Sequence, residues 1–207
     1  RSSDLPTGCR LDHYFYNANK AHEAYLFHLS NSRTEMDTVY NQQEGPYIQT
    51  FSYQNTCFIN GFLHPEKTFE SMASTLDYLQ KLLGNDYFKL FSLILTDRGT
   101  EFEKVSLFEL EAETGKLRTN IFYCDPQTPS QKPHVENNHN YVRNILPNGR
   151  KFEGLTQHDL NLLFSHINSV PRKVLGGRTP YDVFSFFYGE EIIHKMGIRR
   201  KIGRAHV

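Results

Sequence analysis

The sequence predicts an α/β domain, a mixed five-stranded sheet flanked by helices, and three observations predict it. Three β-rich runs, Ser32–Tyr40, Tyr47–Tyr53 and Thr56–Leu63, follow one another with short turns between them. A long amphipathic segment, Glu66–Leu83, comes next. Then Leu90-Phe91-Ser92-Leu93-Ile94-Leu95 forms a continuous apolar run, the pattern of a strand buried on both faces.

In the first run Met36, Thr38 and Tyr40 alternate with Glu35, Asp37 and Val39. Period two argues for a strand and places Asp37 within it. Gly45-Pro46 marks a turn, and the next two runs complete an antiparallel meander that closes at His64-Pro65. In Glu66–Leu83 the residues Phe69, Met72, Leu76, Leu79 and Leu83 fall at helical spacing, and Gly84-Asn85 supplies a C-cap. The apolar run follows as the product of a crossover connection.

At the end of that run stands Thr96-Asp97-Arg98-Gly99-Thr100-Glu101-Phe102. An acid at the end of a buried strand is costly to desolvate unless something compensates it. A divalent metal ion is one compensation, and hydrogen bonds to the following turn are another. Gly99 is expected to let the chain turn sharply. Glu101 and Asp125 read as turn or capping residues.

Lys104–Glu113 has no clear period. Arg118–Cys124 reads as a further strand, with Cys124 buried in it, and Pro126–Pro133 as a loop with three prolines. A helix starts near Pro133 or His134, with Glu136, Asn140 and Arg143 on one face opposite Val135, Val142 and Leu146. Such a polar stripe suits a helix lining a cleft, and equally an ordinary solvated face. Thr156-Gln157-His158-Asp159 opens a helix with Leu160, Leu163, Phe164 and Ile167 buried, and Thr179-Pro180 opens another whose apolar face is Val183, Phe184 and Phe187.

The chain of 207 residues is 38% hydrophobic, enough for one domain with a sizeable core. Lys plus Arg and Asp plus Glu number 23 each, so a nucleic-acid partner must be argued from local charge. Cys9, Cys57 and Cys124 are odd in number and widely spaced, the pattern of reduced thiols and not of a zinc knuckle or disulfide frame. No apolar run approaches the roughly 20 residues that span a bilayer. His134 and His139 have no Cys or His partner at zinc spacing, so both read as structural or solvated.

Residues 1–5 and 201–207 resemble conceptual translations of sequencing adapters and are expected to be scars. Residues 6–31 form a lead-in, with a helix expected around Leu11–Leu29. The core is expected over 32–200.

Three strands, helix, strand, strand, then helices is the ribonuclease H-like order. In it the first and fourth strands are neighbours, so Asp37 and Asp97 would lie side by side, approached by Glu136. Three converging carboxylates repel one another unless they hold divalent metal. Hard oxygen donors suit Mg²⁺ or Mn²⁺.

Glu35-Met36-Asp37-Thr38-Val39, Leu95-Thr96-Asp97-Arg98-Gly99-Thr100-Glu101-Phe102 and Val135-Glu136-Asn137-Asn138-His139 resemble the three blocks of DDE transposases of the IS-thirty insertion-sequence family. Phe122–Pro126, Ile145–Gly149 and Thr179–Phe184 extend the resemblance, which runs from about residue 9 to residue 198. Arg98 and Pro133-His134 depart from that family's commoner residues. The resemblance implies a catalytic triad of Asp37, Asp97 and Glu136 that holds Mg²⁺ (or Mn²⁺), as two ions. It implies DNA contacts by Lys132, Asn140 and Arg143, DNA strand cleavage and strand transfer, and a homo-oligomer on DNA. It further implies a bacterial cytoplasmic, nucleoid-associated setting and an upstream helix-turn-helix region outside the given sequence. Two alternatives stand beside this reading: a decayed or repurposed DNA-binding remnant, and another ribonuclease H-like nuclease.

Overall fold

The structure, a computed structural model, describes residues 9–11, 33–54, 56–124, 133–149 and 151–201, with the backbone alone for 9–11 and 133–136. Six strands form one sheet: β1 (Cys9–Leu11), β2 (Thr34–Val39), β3 (Tyr47–Tyr53), β4 (Phe58–His64), β5 (Leu93–Thr96) and β6 (Asn120–Cys124). Their spatial order is β1-β6-β5-β2-β3-β4. β2, β3 and β4 form the expected antiparallel meander, and β5 lies parallel to both β2 and β6. The mixed five-stranded sheet is present, and the short β1 adds antiparallel to β6 at its edge. The helix expected over Leu11–Leu29 falls outside the described residues except at Leu11, which ends β1. Residues 1–5 and 202–207 also fall outside them.

Helix α1 (Phe69–Leu83) begins three residues later than its apolar spacing suggests. Thr68 is the N-cap and accepts a hydrogen bond from the Ser71 amide, which sets the boundary. Gly84 ends the helix at φ +58, and its N–H bonds to the Gln80 carbonyl, as expected of a C-cap. The apolar run after it is only partly strand. Tyr87–Leu90 is a helical turn, α2, and β5 starts at Leu93. Leu90 and Phe91 are as fully buried as β5, so hydrophobicity alone did not separate the two pieces.

The unclear stretch after Asp97 contains a short helix, α3 (Val105–Glu109), and a bridge between Leu110 and Leu117. Arg118, expected to open the last strand, instead lies before it. Its buried guanidinium donates to the carbonyls of Leu107 and Phe108 and pairs with Asp77 of α1. The remaining helices are α4 (Pro133–Ile145), α5 (Gln157–Asn168), α6 (Pro180–Tyr188) and α7 (Glu190–Lys195). Thr156 and Asp159 cap α5 reciprocally, and Thr179 caps α6 ahead of Pro180.

The pleat sorts side chains between two faces. Met36 and Phe51 are a cross-strand pair on the α1 side, inside the main core. Glu35 with Ser52, and Asp37 with Thr50, are pairs on the opposite side, which α4 covers. A small apolar cluster of Leu93, Leu95, Phe122 and Cys124 lies on that second side. The C-terminal helices close the β4 edge, where Phe184 packs 4.3 Å from Phe58 and 5.2 Å from Tyr53. Phe187 was expected in the same face but is 61% exposed, because the short helix turns Pro180, Tyr181 and Phe184 inward.

β4 is an edge strand, and its outward backbone groups are occupied by amide side chains of α5. Asn168 accepts from Ile59 N at 2.9 Å and donates to Ile59 O at 2.6 Å. Gln157 accepts from Leu63 N and donates to Gly61 O, both at 2.9 Å. Gly61 also admits the Phe164 ring, which lies 2.7 Å from where a β-carbon would sit. These contacts block pairing by a further strand at that edge.

Candidate active site

The site is built on two parallel neighbours. β2 and β5 pair Thr34 with Ile94 and Glu35 with Leu95. Carried two residues beyond its last pair and past the end of β5, the same register would set Asp37 beside Asp97. The period of two puts both on the face that carries Glu35 and Leu95. Asp97 directly follows β5, whose four residues are all buried.

Both aspartates are also held by their own backbone. Asp37 Oδ1 accepts from Thr38 N at 2.7 Å, and Asp97 Oδ1 accepts from Gly99 N at 3.1 Å. Turn capping and metal binding, set apart above as alternatives for Asp97, are therefore compatible: a bond to one carboxylate oxygen orients the group.

Gly99 has φ −59 and ψ 144, a conformation open to any residue, so the turn itself does not need glycine. The reason lies two residues on. A β-carbon at Gly99 would come within 2.5 Å of Glu101 Oε2. Glu101 is a turn residue, as expected, but it also carries a buried charge. It sits in the 3₁₀ turn Thr100–Phe102, only 3% exposed, with Oε1 3.0 Å from Lys67 Nζ. Asp125 lies outside the described residues.

α4 lies over the Asp37 face. Thr50, the cross-strand partner of Asp37, meets His139 Nε2 through its hydroxyl at 2.9 Å, and Asn138 donates to Ser52 at 3.1 Å. His139 thus has a structural contact, as its lack of zinc-spaced partners suggested. Val142 and Leu146 are buried and Asn140 is exposed, so the helix presents the expected inner and outer sides. Glu136 is the fourth residue of α4, and its side chain lies outside the described residues. Lys132 lies outside them altogether. Among the described residues, no three His, Cys, Asp or Glu side chains are grouped to hold a metal ion.

Arg143 contacts the chain that leaves β2. Its guanidinium donates to Asn41 Oδ1 and, at 3.2 Å, to the Tyr40 carbonyl. Asn41 in turn donates to the Pro147 carbonyl at 3.0 Å, closing a link between both ends of the site. Partial burial lowers the Arg143 pKa from its ordinary value. Lys67 and Thr50 carried no signal in the sequence, because each acts through a partner distant along the chain.

A sheet with parallel central strands and an antiparallel meander, flanked by helices, defines a fold of the integrase catalytic-core type. The catalytic core domain of BIV integrase superposes on 79% of this chain and 97% of its own, with a TM-score of 0.52 and 20% identity. No protein-family model matches the chain. In sequence, 87 residues are 33% identical to "Transposase InsI for insertion sequence element IS30A" of Escherichia coli (strain K12), covering 42% of this chain and 21% of that protein. The transposase for insertion sequence element IS1086 of Cupriavidus metallidurans is 32% identical over 89 residues, 43% of this chain and 25% of that protein. The chain is thus similar over part of its length to these insertion-sequence transposases, and the match spans about a fifth to a quarter of theirs. Among the described residues no helix is long and apolar enough to cross a membrane.

Proposed function

We propose that this chain is the catalytic domain of an insertion-sequence transposase, cutting DNA strands and joining them to target DNA. The observation that supports the reading is the parallel pairing of β2 with β5 through Glu35 and Leu95, a register that, extended by two residues, would bring Asp97 beside Asp37. Their donor chemistry fits Mg²⁺ or Mn²⁺: hard carboxylate oxygens, each oriented by a backbone N–H. Asp37, Asp97 and Glu136 would hold the metal, in a pair of ions by analogy with two-metal nucleases. Bound there, divalent metal would activate the attacking oxygen and stabilise the leaving oxygen of an in-line displacement.

The chain's own residues bind and orient the DNA. Asn140, exposed on α4, and Lys132 would meet the sugar-phosphate backbone. Arg143 would turn a guanidinium N–H toward phosphate while keeping its hold on the Asn41 segment. In the first step water oxygen attacks a phosphorus, the P–O3′ bond breaks, and the strand leaves as a 3′-hydroxyl. In the second that hydroxyl oxygen attacks a target phosphodiester and displaces another 3′-hydroxyl. The two steps exchange ester bonds without a covalent protein intermediate. A homo-oligomer on paired DNA ends, and a bacterial cytoplasmic, nucleoid-associated location, accompany this reading.

The test incubates end-labelled duplex DNA with the chain and Mn²⁺, alongside Asp37→Asn, Asp97→Asn and Glu136→Gln. Nicking by the parent and by none of the three variants supports the proposal. Saturable Mn²⁺ binding with DNA binding but no cleavage would favour a remnant without activity. Cleavage confined to RNA–DNA hybrids would favour another nuclease of this fold.

A further inference from the structure

Lys67 lies between β4 and α1, remote in sequence from both aspartates, yet it touches the chain that leaves each of them. Its Nζ is 3.0 Å from Glu101 Oε1, four residues after Asp97. The same ammonium lies 4.7 Å from the centre of the Tyr40 ring, three residues after Asp37. Exposed ion pairs contribute little, but this one is of another kind. The Glu101 side chain is 3% exposed, and its Oε2 is buried with no hydrogen-bond partner. A buried carboxylate with one unsatisfied oxygen depends heavily on its charged partner.

Lys67 is also rigidly mounted. Thr68, the next residue, caps α1. His64, three residues before, bonds Ser71 at 2.8 Å, Gln49 at 3.0 Å and Thr75 at 3.1 Å. On the Tyr40 side, the carbonyl of Tyr40 is held by Arg143 and its ring packs 5.8 Å from Tyr47. The lysine therefore joins two anchored segments, one from each aspartate-bearing strand.

We infer that Lys67 is a positioning residue, a brace between Glu101 and Tyr40 that fixes the separation of the Asp37 and Asp97 carboxylates before metal arrives. The inference rests on the proposed metal-binding role of the two aspartates. A carboxylate pair already at the right spacing binds metal without first reordering its supports, so loss of the brace weakens binding. Simple charge repulsion predicts the opposite, because removing a nearby ammonium would tighten the hold on a cation.

The experiment measures Mn²⁺ binding by electron paramagnetic resonance on the 207-residue chain without DNA, well below its melting temperature. Lys67→Met, Lys67→Arg, Tyr40→Leu and Asp97→Asn are compared with the parent, with melting in chelator recorded for each. Lys67→Met is expected to bind Mn²⁺ roughly tenfold more weakly, as loss of a supporting partner typically does. Lys67→Arg, which keeps the charge and stacks on Tyr40, should recover most of that loss. Tyr40→Leu should lose part of it, and it carries the test should Lys67→Met not fold. Lower melting with unchanged Mn²⁺ affinity would reduce Lys67 to a stability role and overturn the inference, and so would tighter binding. If the parent binds no Mn²⁺, or Asp97→Asn binds as well as the parent, the metal-site reading falls and takes the brace with it.

Discussion

Glu101 reaches back over Gly99 so closely that its Oε2 lies 2.5 Å from the position of an absent β-carbon. This approach, and not the backbone, is what a side chain at Gly99 would meet, because its φ of −59 suits any residue. Gly99→Ala must therefore displace a buried carboxylate that is paired with Lys67. The expected loss is about 1–3 kcal/mol, the range for overpacking a tight site. Urea unfolding measures it, and shortening the offending side chain in Gly99→Ala/Glu101→Asp should recover part. A neutral Gly99→Ala would show that the carboxylate moves freely.

Asn168 satisfies both backbone groups of Ile59 with one side chain. Asn168→Ala strands a buried N–H and a buried C=O on the edge strand, at a cost of about 3 kcal/mol. Because it also uncovers β4, the variant should self-associate more readily than the parent. Chemical unfolding and sedimentation velocity give the two readouts.

His64 makes stability depend on pH. Burial lowers its pKa to about 4 from an ordinary 6.5. Between those values the unfolded chain binds more protons than the folded one, so acid favours unfolding. The contribution is whole above pH 6.5 and is lost as the pH falls toward 4, with an upper size of about 3 kcal/mol. His64→Gln should flatten that part of the profile relative to the parent. Parallel curves for the two proteins would contradict the assignment.

Arg143 has two tasks that separate experimentally. Arg143→Ala loses the bonds to Asn41 and the Tyr40 carbonyl and should cost about 1 kcal/mol of stability. If the same guanidinium meets a phosphate, the slope of log K against log salt for duplex binding should shrink by about 0.9. Thermal melting and DNA titrations at several salt concentrations check each part independently.

The strands of the meander, the long helix with its Gly84 cap and the Thr156 and Thr179 starts were legible because their signals are local. Periodicity, capping and turn chemistry act within a few residues. The start of β5 was not legible, since Leu90 and Phe91 are as buried in a helical turn as they would be in a strand. Arg118 read as a strand residue because its partners, Asp77 and two carbonyls of α3, are far away or carry no side-chain signature.

At the candidate site the same division holds. The predicted element order and the resemblance to transposase blocks singled out Asp37, Asp97 and Glu136, and the acid after a buried strand was visible from its neighbours alone. That β2 runs parallel beside β5, with Glu35 opposite Leu95, was decided by a contact between distant segments. The purpose of Gly99 and the joining of Glu101 to Tyr40 by Lys67 also emerged only in three dimensions. Local chemistry is written in adjacent residues, whereas the spacing of charges across a sheet depends on which strands pair and in what register.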